Sequence, residues 1–208
     1  ILDTSLFLLN RTDPTGNANS THGDAIFINV SNGNLVVQHT DMYLPSQGED
    51  SLLTRTNNAR GVPNDTQQGN GTRWSGTPFV RLEERQDNNG TYFEMRRGDG
   101  TLFLYRFNAD TGLYESNDGV GAYETLEDLN VNKPNAVAYV ITRADQTRLE
   151  FHKSGRIIRS VDTNGNELIY EYQSSRLMTV RDDTGHVIQY EFQGNKLVRV
   201  VDETEGTQ

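Results

Sequence analysis

Apolar and polar residues alternate most regularly between residues 149 and 206. Successive side chains of a β-strand point to opposite faces of the sheet, so apolar residues at every second position mark one buried face. Two such segments follow each other with the same internal spacing, at the apolar positions Leu168, Tyr170, Tyr172 and Ile188, Tyr190, Phe192. A weaker segment of the same kind, Leu149 and Phe151, precedes them one residue out of phase.

The turns between these strands recur at the same interval. Asp162, Asp182 and Asp202 are evenly spaced along the chain, and Gly165 is matched by Gly185. Aspartate accepts hydrogen bonds from its own turn and glycine tolerates positive φ, so both residue types are typical of tight turns. The period predicts a repeat array in which each unit buries its apolar face against the next. A meander with evenly spaced hairpins is the alternative, but residue type recurs as well as spacing.

Earlier parts of the chain also predict hairpins. Asn32-Gly33 is a strong hairpin signal between two apolar segments, 25–30 and 35–40. Residues 61–79 form a predicted exposed loop, and 123–129 are compatible with either a helical turn or a loop. The predicted fold is all-β, with antiparallel hairpins forming a repeat-containing, extended or curled β-sheet.

The repeat pattern resembles that of the Rhs, or YD-repeat, family. The residues that carry this resemblance are Gly155, Arg156, Ile157, Asp162, Gly165, Tyr170 and Tyr172. A second set resembles the segment that opens the Rhs shell, namely Gly33, Asn34, Leu35, Thr40, Asp41, Leu44, Pro45, Arg55 and Thr56. Together they span residues 24–206. The Tyr-Asp pair that names the family is absent, because Gln173 and Gln193 stand at the positions of the aspartate.

The resemblance implies a three-part organisation within one continuous domain. Residues 1–23 are an edge strand and linker, 24–140 are the Rhs-opening hairpin region, and 141–208 are YD-like repeats of about 20 residues. In Rhs-type toxins such a strip spirals into a hollow shell around a C-terminal toxin. Because the chain begins at Ile1 rather than Met and has few repeats, we expect a segment of a longer polypeptide.

Composition restricts the partners and the location. The net charge of −10 opposes nucleic-acid binding, which requires a basic surface. No run of 18 apolar residues occurs, so no membrane span is predicted. The 208 residues include no cysteine, which excludes disulfides and thiolate chemistry. The resemblance to the Rhs family implies an extracellular or cell-surface location in bacteria, as part of a larger protein, and the lack of cysteine fits such proteins.

Candidate sites are few, and we expect no enzyme, because no nucleophile, phosphate or zinc motif is present. Core packing is the first interpretation of the aromatic residues, and stacking on a ligand is the alternative for Trp74, Phe103, Tyr105 and Phe107. We expect no cofactor. The Asp162–Asn166 segment could supply oxygens to calcium, but an ordinary turn is favoured.

Two hypotheses of function follow. The first is a non-catalytic structural segment that builds or caps a β-sheet shell around a toxin, or acts as a spacer. Its partners are then other domains of the same polypeptide, including an encapsulated toxin domain. The second is a module of a giant bacterial adhesin that binds a glycan or a protein on a cell surface.

Overall fold

The computed structural model describes residues 6–10, 25–29, 33–45, 50–60, 74–98, 101–116, 122–131, 133, 136–194 and 196–204. Within these ranges the regular structure consists of 17 strands and no helix. Every strand pairing is antiparallel. The predicted all-β class and its antiparallel hairpins are confirmed.

The strands form two sheets, and in each sheet the spatial order follows the chain. The first sheet consists of β1 (Leu6–Asn10), β2 (Ala25–Asn29), β3 (Asn34–Leu44), β4 (Ser51–Asn58) and β5 (Trp74–Gly76). The second begins with β6 (Arg81–Asp87), β7 (Gly90–Arg96), β8 (Leu102–Asn108), β9 (Leu113–Ser116), β10 (Glu124–Asp128) and β11 (Tyr139–Thr142). It continues with β12 (Arg148–Phe151), β13 (Ile157–Val161), β14 (Glu167–Gln173), β15 (Arg176–Asp182), β16 (Val187–Gln193) and β17 (Lys196–Asp202).

The first eight strands of the long sheet, β6 to β13, surround a common core. Alternate residues of these strands point inward, which buries one face of the sheet. The buried core residues are Val80, Leu82, Phe93, Met95, Phe103, Tyr105, Leu126, Ala138, Tyr139, Ile141, Leu149, Phe151 and Ile157. Aromatic rings interlock at its centre, where Phe93 meets Tyr139 edge to face at 5.0 Å. The interior of this curled part is therefore filled with side chains.

The curl brings β6 back against the beginning of β13. The backbone N–H of Leu82 donates to the carbonyl of Gly155 at 2.8 Å. The backbones of Arg81 and Arg156 form an isolated antiparallel β-bridge beside this bond. Gly155 has a φ of +80°, and a Cβ atom there would overlap the carbonyl group of Leu82. Only glycine combines this positive φ with so close an approach of two backbones. Gly155 and Leu82 form what we call the seam.

The remaining strands, β14 to β17, bury their apolar face against the five-stranded sheet. Leu53 of β4 and Phe79 of the connection to β6 join a second core with Leu168, Leu177, Val180, Ile188 and Tyr190. Phe79 meets Tyr190 edge to face, with ring centroids 5.8 Å apart. Each sheet thus covers an apolar face of the other, and the two cores are contiguous through Tyr170, which packs against both.

The structure differs from some of the sequence expectations and refines others. Residues 124–128 form strand β10, so the expected helical turn or loop over 123–129 is wrong, because Leu126 packs in the first core. The expected boundary at residue 140 lies inside β11, and pairing continues across it. The expected edge strand is β1, at one edge of its sheet. The expected linker lies outside the described residues, and so do residues 61–73 of the exposed loop expected over 61–79. The rest of that expectation is wrong, because Trp74–Gly76 form strand β5 and Phe79 is buried in the second core.

No helix within the described ranges has the length and hydrophobicity that crossing a membrane requires.

The seam gives a testable prediction for stability. Gly155→Ala adds a Cβ atom at a positive φ and against the Leu82 carbonyl, whereas Gly112→Ala adds one at a φ of +74° in open space. We expect Gly112→Ala to cost about 1–2 kcal/mol of unfolding free energy, and Gly155→Ala at least about 2 kcal/mol more, because the seam opens. Urea unfolding of both variants measures the difference. Equal losses would show that the seam contributes nothing to stability.

Candidate functional site

One aspartate organises each repeat turn. Asp162 Oδ1 accepts hydrogen bonds from the backbone N–H groups of Asn164 and Asn166, at 2.8 and 2.9 Å. One repeat later, Asp182 Oδ1 accepts from the N–H groups two and four positions on, both at 2.9 Å. The second oxygens are also engaged, by the Asn166 amide at 2.7 Å and by His186 Nδ1 at 2.8 Å. The recurring aspartate is thus explained by the turn.

These hydrogen bonds also engage the oxygens of the Asp162–Asn166 segment that could have bound calcium. The hydrogen bond from the Asn166 side chain holds the pKa of Asp162 below its usual value, so its carboxylate is charged at neutral pH. Both of its oxygens serve the turn that contains it. In the described part of the chain, no group of three or more His, Cys, Asp or Glu side chains could hold a metal ion.

The repeats also contact each other through a basic residue and an aromatic ring. The guanidinium of Arg156 lies over the ring of Tyr172 at 5.1 Å. In the following repeat, Arg176 lies over Phe192 at 5.0 Å. When each hairpin, β12–β13, β14–β15 or β16–β17, is taken as one repeat, the cation belongs to one hairpin and the ring to the next, at a constant offset along the chain. Basic residues recur in the sequence at Arg156, Arg176 and Lys196. Sequence analysis missed their pairing with the rings, although the constant offset is visible in the sequence.

The backbone repeats as closely as the side chains. A β-bulge interrupts the pairing after Glu171 in β14 and again after Glu191 in β16. The tight turns that follow place Ser174 and Gly194 at φ values of 59° and 57°. Because bulges and positive φ values are specific features of the chain, their return at the same place in the next repeat shows that the hairpins β14–β15 and β16–β17 are equivalent units.

Strand β17 forms the last edge of the long sheet. It pairs with β16 on one side, and no described strand pairs with its other side. Its outward residue Val198 is more than half exposed. An unpaired edge presents a row of backbone N–H and C=O groups that another strand can bind. The edge therefore offers a position where a further unit of the same geometry would fit.

The four aromatic residues predicted as ligand-stacking candidates are not brought together. Phe103 and Tyr105 of β8 are 4 % and 0 % exposed, so their faces are covered by the first core and cannot stack on a ligand from solvent. Phe107 lies on the same strand beyond the core, 56 % exposed and edge to face with Tyr114 at 5.3 Å. Trp74 lies in β5 of the other sheet, half-buried beneath the guanidinium of Arg55 at 5.6 Å.

Tyr105 instead belongs to a buried polar cluster with Glu124 and Arg97. The Tyr105 hydroxyl donates to Glu124 Oε2 at 2.6 Å, and Arg97 Nη2 donates to the other carboxylate oxygen. Burial raises the pKa of the Tyr105 phenol, which keeps it protonated as a donor. The Arg97 guanidinium also lies 4.1 Å from the centre of the Phe103 ring. Sequence analysis missed this cluster because its members are distant in the chain.

A cavity of about 390 Å³ lies beside this cluster, between the two sheets. Arg97 and Arg143 line one part of it, and Ser51 at the beginning of β4 lines another. Apolar side chains of β14, β15 and β16 form its floor, including Ile188 and Tyr190. The Ser51 hydroxyl is buried without a hydrogen-bond partner among the described residues, a state that costs about 1–3 kcal/mol.

The buried cluster gives a second prediction. Glu124→Gln removes a carboxylate that is about 5 % exposed and leaves the Arg97 charge without its counter-ion. We expect a loss of about 3–5 kcal/mol of unfolding free energy, measured by urea unfolding at pH 7. The matched control is Glu191→Gln, which breaks the exposed pair with Arg199 and should cost at most about 1 kcal/mol. Similar losses in both variants would contradict a structural role for the buried charge pair.

Comparison of the sequence with models of known protein families finds no match, and comparison with curated protein sequences finds none either. The resemblance to the Rhs family therefore depends on the residues named above.

Proposed function

We propose that this chain is a non-catalytic structural segment of a large bacterial secreted or surface protein of the Rhs type. Its repeat strip would build or cap a β-sheet shell around a toxin domain, or act as a spacer between other domains of the same polypeptide. The observation that carries this proposal is the contact between repeats, in which Arg156 and Arg176 each cover a ring of the following repeat.

That contact links neighbouring repeats and no distant ones. A repeat array is stabilised by such nearest-neighbour interfaces and can be lengthened by adding units. The series includes a third basic residue, because Lys196 occupies the position of Arg156 and Arg176. No described strand pairs with the outer side of β17, so a further unit that paired there would bring a ring to Lys196 at the same offset.

The filled interior favours capping over enclosing. Phe93, Phe103 and Tyr105 occupy the space inside the curl of β6 to β13, so this part has no room for a cargo. The five-stranded sheet covers the apolar face of β14 to β17 in the same way. A segment whose own faces are already covered is suited to end or support a shell made by further repeats.

The proposal predicts that the strip accepts another repeat. A second copy of residues 187–206 is placed directly after Gly206, which keeps the phase of the repeat. We expect the copy to pair with β17, because it supplies both a strand for the edge and the copied Phe192 ring for Lys196. Amide hydrogen exchange across Lys196–Asp202 should slow by about tenfold or more, and the melting temperature should rise.

The control carries the same added segment with its residues in shuffled order. It should leave exchange in β17 and the melting temperature unchanged. If the true copy behaves as the shuffled one does, or if the added residues exchange like an unfolded chain, β17 is not an extension point and the structural proposal fails.

A second function, a ligand-binding module of an adhesin, is favoured by one observation. Phe107 is 56 % exposed and is braced by Tyr114, whose ring lies 5.3 Å away. An exposed, supported ring is suited to stack on the apolar face of a sugar or on a protein side chain. Trp74 is the other candidate that remains partly accessible, on a different sheet.

The adhesin hypothesis predicts loss of binding when the exposed ring is removed. On a glycan array, the unaltered protein should bind a defined set of sugars, and Phe107→Ala should reduce that binding by about tenfold, as loss of a stacked ring typically does. Leu104→Ala, at an exposed apolar residue of the same strand, is the control and should bind normally. Absence of glycan binding, or equal binding by both variants, would exclude Phe107 as a sugar platform.

A further inference from the structure

The side chain of Ser51 points into the space between the two sheets. Ser51 and Leu53 are two positions apart in β4, so their side chains lie on the same face of the five-stranded sheet. Leu53 belongs to the second core, so this face is turned toward β14 to β17. Ser51 is 1 % exposed, and its Oγ has no hydrogen-bond partner among the described residues. Since nearly all buried polar atoms in proteins are hydrogen-bonded, this hydroxyl indicates a partner other than those residues.

The cavity that Ser51 lines is held open by its walls. Its volume of about 390 Å³ is within the range of sites for small organic molecules. Thr77 and Gly98 belong to the lining, and a Cβ atom on Gly98 would come within 2.2 Å of the Thr77 Cα atom. Two backbones that already touch cannot approach each other further, so the space between the sheets does not close at this wall.

The floor of the cavity is apolar, which makes water a poor occupant. Leu168, Val180 and Ile188 are buried side chains of β14, β15 and β16 that form this floor. A buried water molecule needs about two to four polar partners, and the floor offers none. A molecule with an apolar body would instead cover the floor and remove it from water.

The charged residues of the lining are already engaged. Arg97 pairs with Glu124, and Arg143 also interacts with its surroundings. Asp50 accepts a hydrogen bond from the Tyr43 hydroxyl at 2.8 Å. An ion placed on the apolar floor would therefore lose its hydration without gaining a counter-ion, which costs much free energy. The cavity thus favours a neutral molecule over either an anion or a cation.

We infer that the cavity binds a small neutral organic molecule with an apolar body and one hydroxyl or carbonyl oxygen. The oxygen would accept a hydrogen bond from Ser51 Oγ, and the body would lie on the floor formed by β14 to β16. Arg97 Nε, which is also buried without a hydrogen-bond partner among the described residues, is a second donor on the same lining. The site is separate from the strip edge at β17 and from Phe107, so it goes beyond both roles proposed above.

Three probes that share one ring test the charge of the ligand. Cyclohexylmethanol is neutral, cyclohexanecarboxylate is an anion and cyclohexylmethylammonium is a cation. Each is titrated into the full chain, and the amide chemical shifts are followed by nuclear magnetic resonance. We expect cyclohexylmethanol to shift the amides around Ser51 and Gly98 and to bind about tenfold or more tightly than either ion, because only the ions must give up a strong hydration shell.

A fourth probe tests the apolar body. Methyl glucoside is neutral but carries hydroxyl groups around its ring. It should bind at least about tenfold more weakly than cyclohexylmethanol, because the apolar floor leaves those hydroxyl groups without partners.

Three variants connect binding to the cavity. Ser51→Ala should weaken cyclohexylmethanol binding about fivefold and leave the melting temperature of the unliganded protein unchanged or higher, since it deletes an unsatisfied hydroxyl. The matched control is Ser175→Ala, at an exposed serine in the turn between β14 and β15, which should bind normally. Ser51→Leu places an apolar side chain in the cavity, so it should abolish binding and raise the melting temperature.

The inference is overturned if cyclohexylmethanol causes no shift around Ser51 at millimolar concentration, since water would then be the partner of the hydroxyl. Binding of either ion or of methyl glucoside as tightly as cyclohexylmethanol would contradict the neutral, apolar ligand. Equal binding by Ser51→Ala and Ser175→Ala would show that the ligand lies elsewhere. This last comparison remains decisive if Ser51→Leu fails to fold.

Discussion

A long antiparallel sheet with one apolar face must cover that face, and this constraint governs the whole structure. No helix of the described chain is available to do so. Strands β6 to β13 solve the problem by curling until β6 meets β13 at the seam between Leu82 and Gly155. The apolar face of strands β14 to β17 is covered differently, by packing against the five-stranded sheet. Two cores joined at Tyr170 result from one strip.

The junction between these two solutions is where the unusual chemistry lies. The end of the curl, the tail of the strip and the five-stranded sheet meet around Arg97, Arg143 and Ser51. Three surfaces with different directions seldom fill space completely, and the remaining volume is bordered by buried charge. The Glu124 carboxylate stabilises the positive charge of Arg97, because it accepts hydrogen bonds from the Arg97 guanidinium and from the Tyr105 hydroxyl.

The repeats connect stability with extension. An arginine lies over a ring of the next repeat at two successive places, and in the proposed extension Lys196 would take the same role toward a further unit. Local interactions of this type allow an array to grow without changing the part already formed. The bulges after Glu171 and Glu191 return at the same place in successive hairpins.

Local signals in the sequence were sufficient to predict the all-β class and the antiparallel hairpins. Alternation at Leu168, Tyr170 and Ile188 and the aspartate turns are signals of this kind, since strand periodicity and turn chemistry act over a few residues. Strand β10 could not be predicted from these local signals, because it is determined by the packing of Leu126 in the first core. The burial of Tyr105, its bond to Glu124 and the cavity beside Arg97 exist only once the chain has folded. They depend on how far the sheet curls, and that is set by contacts such as the seam, whose two residues, Gly155 and Leu82, are far apart in the chain.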